Sequence, residues 1–424
     1  MEFTEGFKTV GARLSPSGRY VAGLHRRDAV QLFVAIHSTT NGALHYLLPV
    51  PESGPGRREL VWAPNNQFLL LADYALARFF VWDFETSDRP ICTVTENVRL
   101  GVERVLWAPD SLHFLVVLKH RIAVRIWKLD EKFPQAVIHS PKFTDRGFAF
   151  SPDDRWLAVL VRREFEDVII VYDSAWRVVQ SVRPPESANL EDLIFCPFLE
   201  RTTELRPAII AWEAPAFSDR IFIFAPDGAS CKVISGLAEY GSGYEKVVWS
   251  KAGWIAAAIV FKEKIVKEVN QLGNVVDRSK CKTCPFCCYL VDESGFQLQA
   301  SRSVDTKRTP NLQIEFSNDS AYIAAVTSEY PNCVWIINVN ELEVVAVLQQ
   351  ASSVRSFSWH DVSPVLVVAT EASNVFVWQP SGCLSIPQPA VNDPRLVRWA
   401  PGNDTLLISG ATSFCLAVPD WATY

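Results

Sequence analysis

Trp62-Ala63-Pro64, Trp107-Ala108-Pro109 and Trp399-Ala400-Pro401 repeat one triplet, each time at the end of an apolar run. Looser versions are Leu14-Ser15-Pro16, Phe150-Ser151-Pro152, Phe195-Cys196-Pro197, Trp249-Ser250-Lys251, Phe316-Ser317-Asn318 and Trp359-His360-Asp361. Between successive first residues the gaps are 48, 45, 43, 45, 54, 67, 43 and 40, a period near 45 that runs from end to end. A repeat of that length is the size of one four-stranded propeller blade.

The residues around each triplet support the same reading. Proline cannot donate to a ladder and so closes its strand, and Pro16-Ser17-Gly18, Pro64-Asn65-Asn66 and Pro152-Asp153-Asp154 supply turn geometry just behind it. Apolar runs of β-formers follow at 68–72, 113–118, 156–161, 322–326 and 365–369. Further runs end in Val81-Trp82-Asp83, Ile126-Trp127-Lys128, Val171-Tyr172-Asp173 and Val377-Trp378-Gln379. That is the place of the aromatic and acid pair of a WD repeat, so the repeats are degenerate ones.

A chain of 424 residues would ordinarily divide into two or three domains. The unbroken repeat instead predicts an all-β WD-repeat β-propeller over 1–424, a single closed ring of about nine degenerate blades. Nine exceeds the usual range of about 4 to 8 blades. Eight blades with one vestigial repeat, or two unequal rings divided near the widest gap, therefore stay open. Stretches 405–409 and 414–418 supply two strands after the last anchor, and 2–7 is a spare strand before the first. Joining the spare strand to the last blade would seal the ring and remove its exposed edge.

Lys and Arg number 41 against 47 Asp and Glu, a net charge of −6, which argues against nucleic acid as the main ligand. Met1-Glu2-Phe3-Thr4-Glu5 has no apolar leader character, and the longest uninterrupted apolar stretch, 254–261, is far below a membrane span. A cytosolic protein is expected. Asn318-Asp319-Ser320 and Asn403-Asp404-Thr405 have glycosylation spacing but stand where turns want Asn and Asp.

Of ten cysteines, Cys92, Cys196, Cys231, Cys333, Cys383 and Cys415 are scattered singly through strand-like runs and read as core filler. Cys281, Cys284, Cys287 and Cys288 cluster inside 262–308, an insertion that lengthens the sixth repeat. One C-x-x-C pair supplies half of a tetrahedral zinc site, yet no histidine lies nearby, so zinc is the weaker reading and a reduced loop the stronger. Lys262, Lys264 and Lys267, with Arg278, Lys280, Lys282, Lys307 and Arg308, make the same stretch basic. It is a candidate surface for an acidic partner such as a tubulin tail, the plainer reading being a solvated loop.

No phosphate-binding loop, nucleophile elbow or H-E-x-x-H motif occurs. Gly241-Ser242-Gly243 reads as a turn, and Asp153-Asp154 and Glu191-Asp192 as adjacent turn carboxylates that diverge. No enzyme and no cofactor are expected, and a binding platform is the favoured class.

Tyr330-Pro331-Asn332-Cys333-Val334-Trp335-Ile336, Val354-Arg355, and Trp378-Gln379-Pro380-Ser381-Gly382-Cys383 resemble the last blades of the WRAP family of WD-repeat proteins of centrosomes and spindle poles. Met1-Glu2-Phe3-Thr4-Glu5 and Leu14-Ser15-Pro16-Ser17-Gly18-Arg19-Tyr20 are similar too. The likeness in repeat order covers nearly the whole chain and is specific over 314–386. It implies a scaffold that binds a coiled-coil anchoring protein and tethers microtubule minus ends, in fungi together with a minus-end-directed kinesin, with tubulin close by. Ile337 and Asn338 replace the Trp and Asp expected after Ile336, and the cysteine cluster has no expected counterpart. The competing class is a propeller subunit of a translation-initiation or RNA-handling complex.

Trp62, Trp107, Trp249, Trp359 and Trp399 are expected to pack between blades with their N–H groups satisfied near strand ends. Pro331, Asn332 and Arg355 are candidates for a contact surface, since a loop Pro-Asn pair and an arginine near an anchor have no evident core duty. A plain turn pair and a surface salt bridge are the alternative.

Overall fold

The computed structural model describes residues 1–27, 31–51, 55–184, 188–196, 207–213, 220–225, 231–234, 244–249, 256–260, 313–326, 330–341, 343–388 and 390–419. Apart from one short 3-10 turn, Lys119–Arg121, every regular element among them is a β-strand.

The strands form antiparallel sheets in chain order. The first sheet is Val10–Leu14, Tyr20–Arg26, Leu32–Ser38 and Leu44–Pro49, and the second Arg58–Trp62, Phe68–Asp73, Arg78–Asp83 and Cys92–Thr95. The third is Val102–Trp107, His113–Leu118, Ala123–Lys128 and Ala136–His139, and the fourth Phe148–Phe150, Trp156–Arg163, Glu166–Asp173 and Val178–Val182. The fifth is Leu190–Phe195, Ile209–Glu213, Ile221–Phe224 and Cys231–Ile234. The sixth has two strands among the described residues, Tyr244–Trp249 and Ala256–Val260. The seventh is Gln313–Phe316, Tyr322–Val326, Cys333–Asn338 and Glu343–Gln349, and the eighth Val354–Trp359, Leu366–Thr370, Asn374–Gln379 and Gly382–Pro387. The ninth joins Leu396–Trp399, Leu406–Ser409 and Phe414–Val418 to Glu2–Phe3, whose residues pair Glu2 with Val418 and Phe3 with Ala417.

This is an all-β WD40-type propeller. Eight sheets have four strands. The remainder of the sixth repeat, including 262–308 with its cysteines and lysines, lies outside the described residues, as does Gly241-Ser242-Gly243. All nine triplet anchors are last residues of first strands, and Asp83, Lys128, Asp173 and Gln379 are last residues of third strands.

The apolar runs are nearly continuous because each sheet is covered on both faces. Successive side chains in a strand point to opposite faces. Leu69 and Leu71 therefore pack with Val34 and Ile36 of the first sheet, whereas Leu70 and Ala72 pack with Val105 and Phe114 of the third. In the third sheet Phe114 and Val116 face the second, and Leu115 and Val117 face the fourth. Neighbour relations run onward through Trp212 and Val247, then Val248 and Ile314. They return to the start where Ala12 and Val21 pack against Leu407, Phe414 and Leu416.

The turns behind the anchors share a geometry that explains their composition. Gly18, Asn66, Ser111, Asp154 and Ser320, each four residues after its anchor, have φ of 70°, 64°, 59°, 60° and 61°. Gly, Asn and Asp tolerate that left-handed region best. At Asn318-Asp319-Ser320 the Asp319 carboxylate accepts the Ala321 N–H at 3.0 Å, a backbone duty for the glycosylation-like triplet.

Candidate functional site

First strands of neighbouring sheets lie against one another, so they line the ring's axis and the fourth strands form its rim. Along the axis, strands of the first, second and ninth sheets enclose a cavity of about 580 Å³ lined in part by Arg13, Glu59, Trp62, Arg398 and Trp399. Arg398 reaches Glu315 of the seventh sheet at 3.2 Å, and Tyr74 donates to Glu59 at 2.8 Å. The wall is of mixed charge, and its one carboxylate among the described residues, Glu59, is engaged with Tyr74 of its own sheet.

The anchor tryptophans serve the fold. The Nε1–H of Trp62 donates to the Arg13 carbonyl at 3.0 Å, that of Trp107 to Val61 at 3.0 Å, and that of Trp359 to Glu315 at 3.2 Å. Each bond ties a sheet to the preceding one while the indole is buried; Trp399 is buried as well. Trp249 ends its strand, and its side chain lies outside the described residues.

The expected contact surface at Pro331, Asn332 and Arg355 needs correction at one residue. Asn332 is only 6% exposed and its amide donates to the Gln350 carbonyl at 3.2 Å, because the turn before the Cys333–Asn338 strand folds inward over the start of the eighth sheet. The Pro331 carbonyl accepts the Val354 N–H at 2.7 Å. Arg355 pairs with Glu371 at 2.6 Å, with both side chains about one third exposed.

Cys231 and Cys383, expected as core filler, are exposed on fourth strands at the rim, where burial varies from position to position, since Cys92 on the fourth strand of the second sheet is buried. Cys92, Cys333 and Cys415 are buried. Burial pushes the Cys92 thiol up to about 11 and that of Cys415 to about 12, so neither is a nucleophile near neutrality. Among the described residues no group of three or more His, Cys, Asp or Glu side chains is arranged to hold a metal ion. Cys281, Cys284, Cys287, Cys288, Lys262, Lys264 and Lys267 lie outside them.

A different surface stands out on the face where first strands begin and second strands end. There the third sheet presents Lys119, His120, Arg121 and Ile122, all exposed, and the fourth presents Arg162, Arg163 and Phe165. Phe165 forms the tip of the Trp156–Arg163 to Glu166–Asp173 hairpin and is 91% exposed. In the loop leading into the fourth sheet, the Phe143 ring packs on the core between the fourth and fifth sheets and is surrounded by cations: Arg146 at 3.8 Å, Lys142 at 5.1 Å and Arg121 at 5.6 Å from its centroid. Beneath it Lys142 is buried and donates to Asp167 at 2.7 Å, Asn189 at 2.6 Å and the Leu190 carbonyl at 2.5 Å. Burial holds the Lys142 ammonium below its ordinary value, against the opposing pull of Asp167. Arg162 pairs with the other Asp167 oxygen at 3.0 Å, so the hairpin and the loop are fixed to one carboxylate.

Sequence reasoning overlooked this surface. Lys119-His120-Arg121 and Arg162-Arg163-Glu164-Phe165 read singly as solvated turns, and only the fold brings the two loops to one end of adjacent sheets.

The ring and its bonded anchors define a WD-repeat β-propeller. No protein-family model matches the chain. It is 24% identical to the WD repeat-containing protein WRAP73 of Mus musculus over 461 residues, which takes in 98% of this chain and 95% of that protein. An uncharacterized WD repeat-containing protein of Schizosaccharomyces pombe is 22% identical over 322 residues, covering 72% of this chain and 56% of the other. The C-terminal WD40 domain of Sif2 shares the fold with a TM-score of 0.52 at 9% identity, covering 98% of both chains. The chain is thus a WD-repeat protein related to WRAP73. No helix among the described residues is long and apolar enough to cross a membrane.

Proposed function

We propose that the protein is a non-enzymatic adaptor that holds a coiled-coil anchoring protein on its propeller and helps tether microtubule minus ends at the spindle pole or centrosome. The observation that carries this reading is the relation to WRAP73 along 98% of the chain, over a ring that keeps its repeat order throughout. The ring suits such a role, since its faces are wide and loop-lined and its buried polar groups serve to join sheets. A minus-end-directed kinesin and tubulin belong to the same assembly in this reading, and the protein resides in the cytoplasm and on the cytoskeleton.

Affinity capture of the tagged chain from dividing cells tests it. Recovery of a coiled-coil protein together with tubulin is the expected result. Ribosomal subunits in their place would replace the adaptor by the translation-initiation reading.

A further inference from the structure

We infer that the face formed by the Lys119–Arg121 turn, the Phe143 loop and the Phe165 hairpin docks an acidic protein segment that carries an apolar anchor. This names the kind of partner segment the adaptor reading requires, and it rests on that reading for its biological sense.

Charge is the first argument. The chain as a whole is acidic at −6, yet Lys119, Arg121 and Arg163 are exposed here with no carboxylate of the described residues within ion-pair distance. A local excess of cation on an acidic ring attracts carboxylates and speeds encounter. The exposed carboxylates Asp145, Glu164 and Glu166 break the cations into separated points, a pattern that suits the spaced acids of a peptide more than an unbroken row of phosphates.

Phe165 is the second argument. Its φ is 76° and that of Glu164 is 48°, so both central residues of a two-residue hairpin turn are left-handed. Asn-Gly is the combination such a turn favours, and a bulky residue there is strained. An exposed phenyl ring in a strained position contributes nothing to the fold that glycine would not supply better. Its value is as an apolar contact on the same face as the cations and as exposed Ile122 of the third sheet's turn.

On the opposite face the described turn around Phe133 is balanced in charge, with Lys128 and Lys132 standing against Asp130 and Glu131. Phe133 is 78% exposed there, and Lys128 is within 3.5 Å of Asp130 and 3.7 Å of Glu131.

The test uses the purified full-length chain and fluorescence anisotropy. The probe is a labelled helix-forming peptide of Glu with Leu at three- and four-residue spacing; its Lys-for-Glu counterpart and a single-stranded RNA serve as comparisons. The acidic peptide should bind, and Arg121→Glu with Arg163→Glu should weaken it about tenfold or more. Phe165→Gly should also weaken binding while raising the melting temperature, a pairing that a structural role for the ring would not give. Lys132→Glu, on the opposite face, should leave binding unchanged. Equal binding by wild type and the double variant, or tighter binding of the RNA with the same sensitivity to substitution, would overturn the inference. Peptide binding as expected with no coiled-coil protein captured from cells would leave this site standing and remove the adaptor reading. Capture of that protein undiminished by the double variant would do the reverse.

Discussion

His113 shows how a single residue couples the fold to pH. Its Nδ1 is 2.5 Å from Asp110 and its Nε2 2.6 Å from Gln135, with the ring edge-on to Trp176 at 5.4 Å. Burial alone would lower the imidazole, but the hydrogen bond and charge of Asp110 outweigh it and hold the value above the ordinary one. A raised folded value means stabilisation that is complete below about 6.5, the unfolded value, and is lost as pH climbs through the folded one. Melting temperature should therefore fall across that window, and Asp110→Asn should flatten the fall; a slope unchanged in the variant would remove His113 as its source. Gly18 is a second sensitive point. A Cβ there would lie 2.4 Å from the Pro401 carbonyl, at a φ of 70°. Gly18→Ala should cost about 2 kcal/mol or more at the junction of first and ninth sheets, read by urea denaturation. For the anchors, Trp107→Ala should cost about 3–5 kcal/mol. Trp107→Phe, which keeps most of the apolar bulk and loses the bond to Val61, should cost nearer about 1 kcal/mol. The anchors were legible because a large aromatic before a turn residue is a local signal. Asn332 was misread because its burial depends on the eighth sheet, which a turn motif cannot show.

At the scale of elements, the joint between fourth and fifth sheets depends on charge as well as apolar packing. Lys142 and Asp167 are both buried, Asp167 also accepts the Leu190 N–H at 2.7 Å, and Glu213 accepts the Asn189 N–H at 2.9 Å. Removing one partner of a buried ion pair leaves a desolvated charge, so Asp167→Ala should cost about 3–5 kcal/mol. Lys142→Met combined with Asp167→Leu should recover much of that loss, since apolar replacement of both partners removes the stranded charge. Equilibrium unfolding of the single and double variants decides this; full additivity would contradict the pairing. Strand positions themselves were readable to within a residue or two, as at 113–118 and 322–326, because period, proline and β-branched runs agree. The cationic face was not readable. Its parts are 19 to 46 residues apart in sequence, and each is an ordinary charged turn until the sheets stand side by side.

For the whole molecule, closure decides whether these joints act together. The ninth sheet takes its outer strand from the opposite end of the chain, with Thr4 and Phe7 hydrogen-bonded to Leu416 and Phe414 at 2.9 and 2.8 Å. The repeat period made a ring legible, whereas the 67-residue gap after Trp249 departs from that period and left the extent of the sixth repeat unread. Deleting residues 1–9 should expose the Phe414–Val418 edge, lower the melting temperature and produce concentration-dependent association in light scattering. The most direct test of the closed propeller is a disulfide between Glu2→Cys and Val418→Cys, which face each other across an antiparallel pair. Such partners have Cα atoms about 4.5–5.5 Å apart, within bridging range. Under mild oxidation the account predicts an intramolecular link between the two terminal peptides, mapped by mass spectrometry in a monomer that melts higher than its reduced form. Links only between molecules, or none in the folded state, would contradict it.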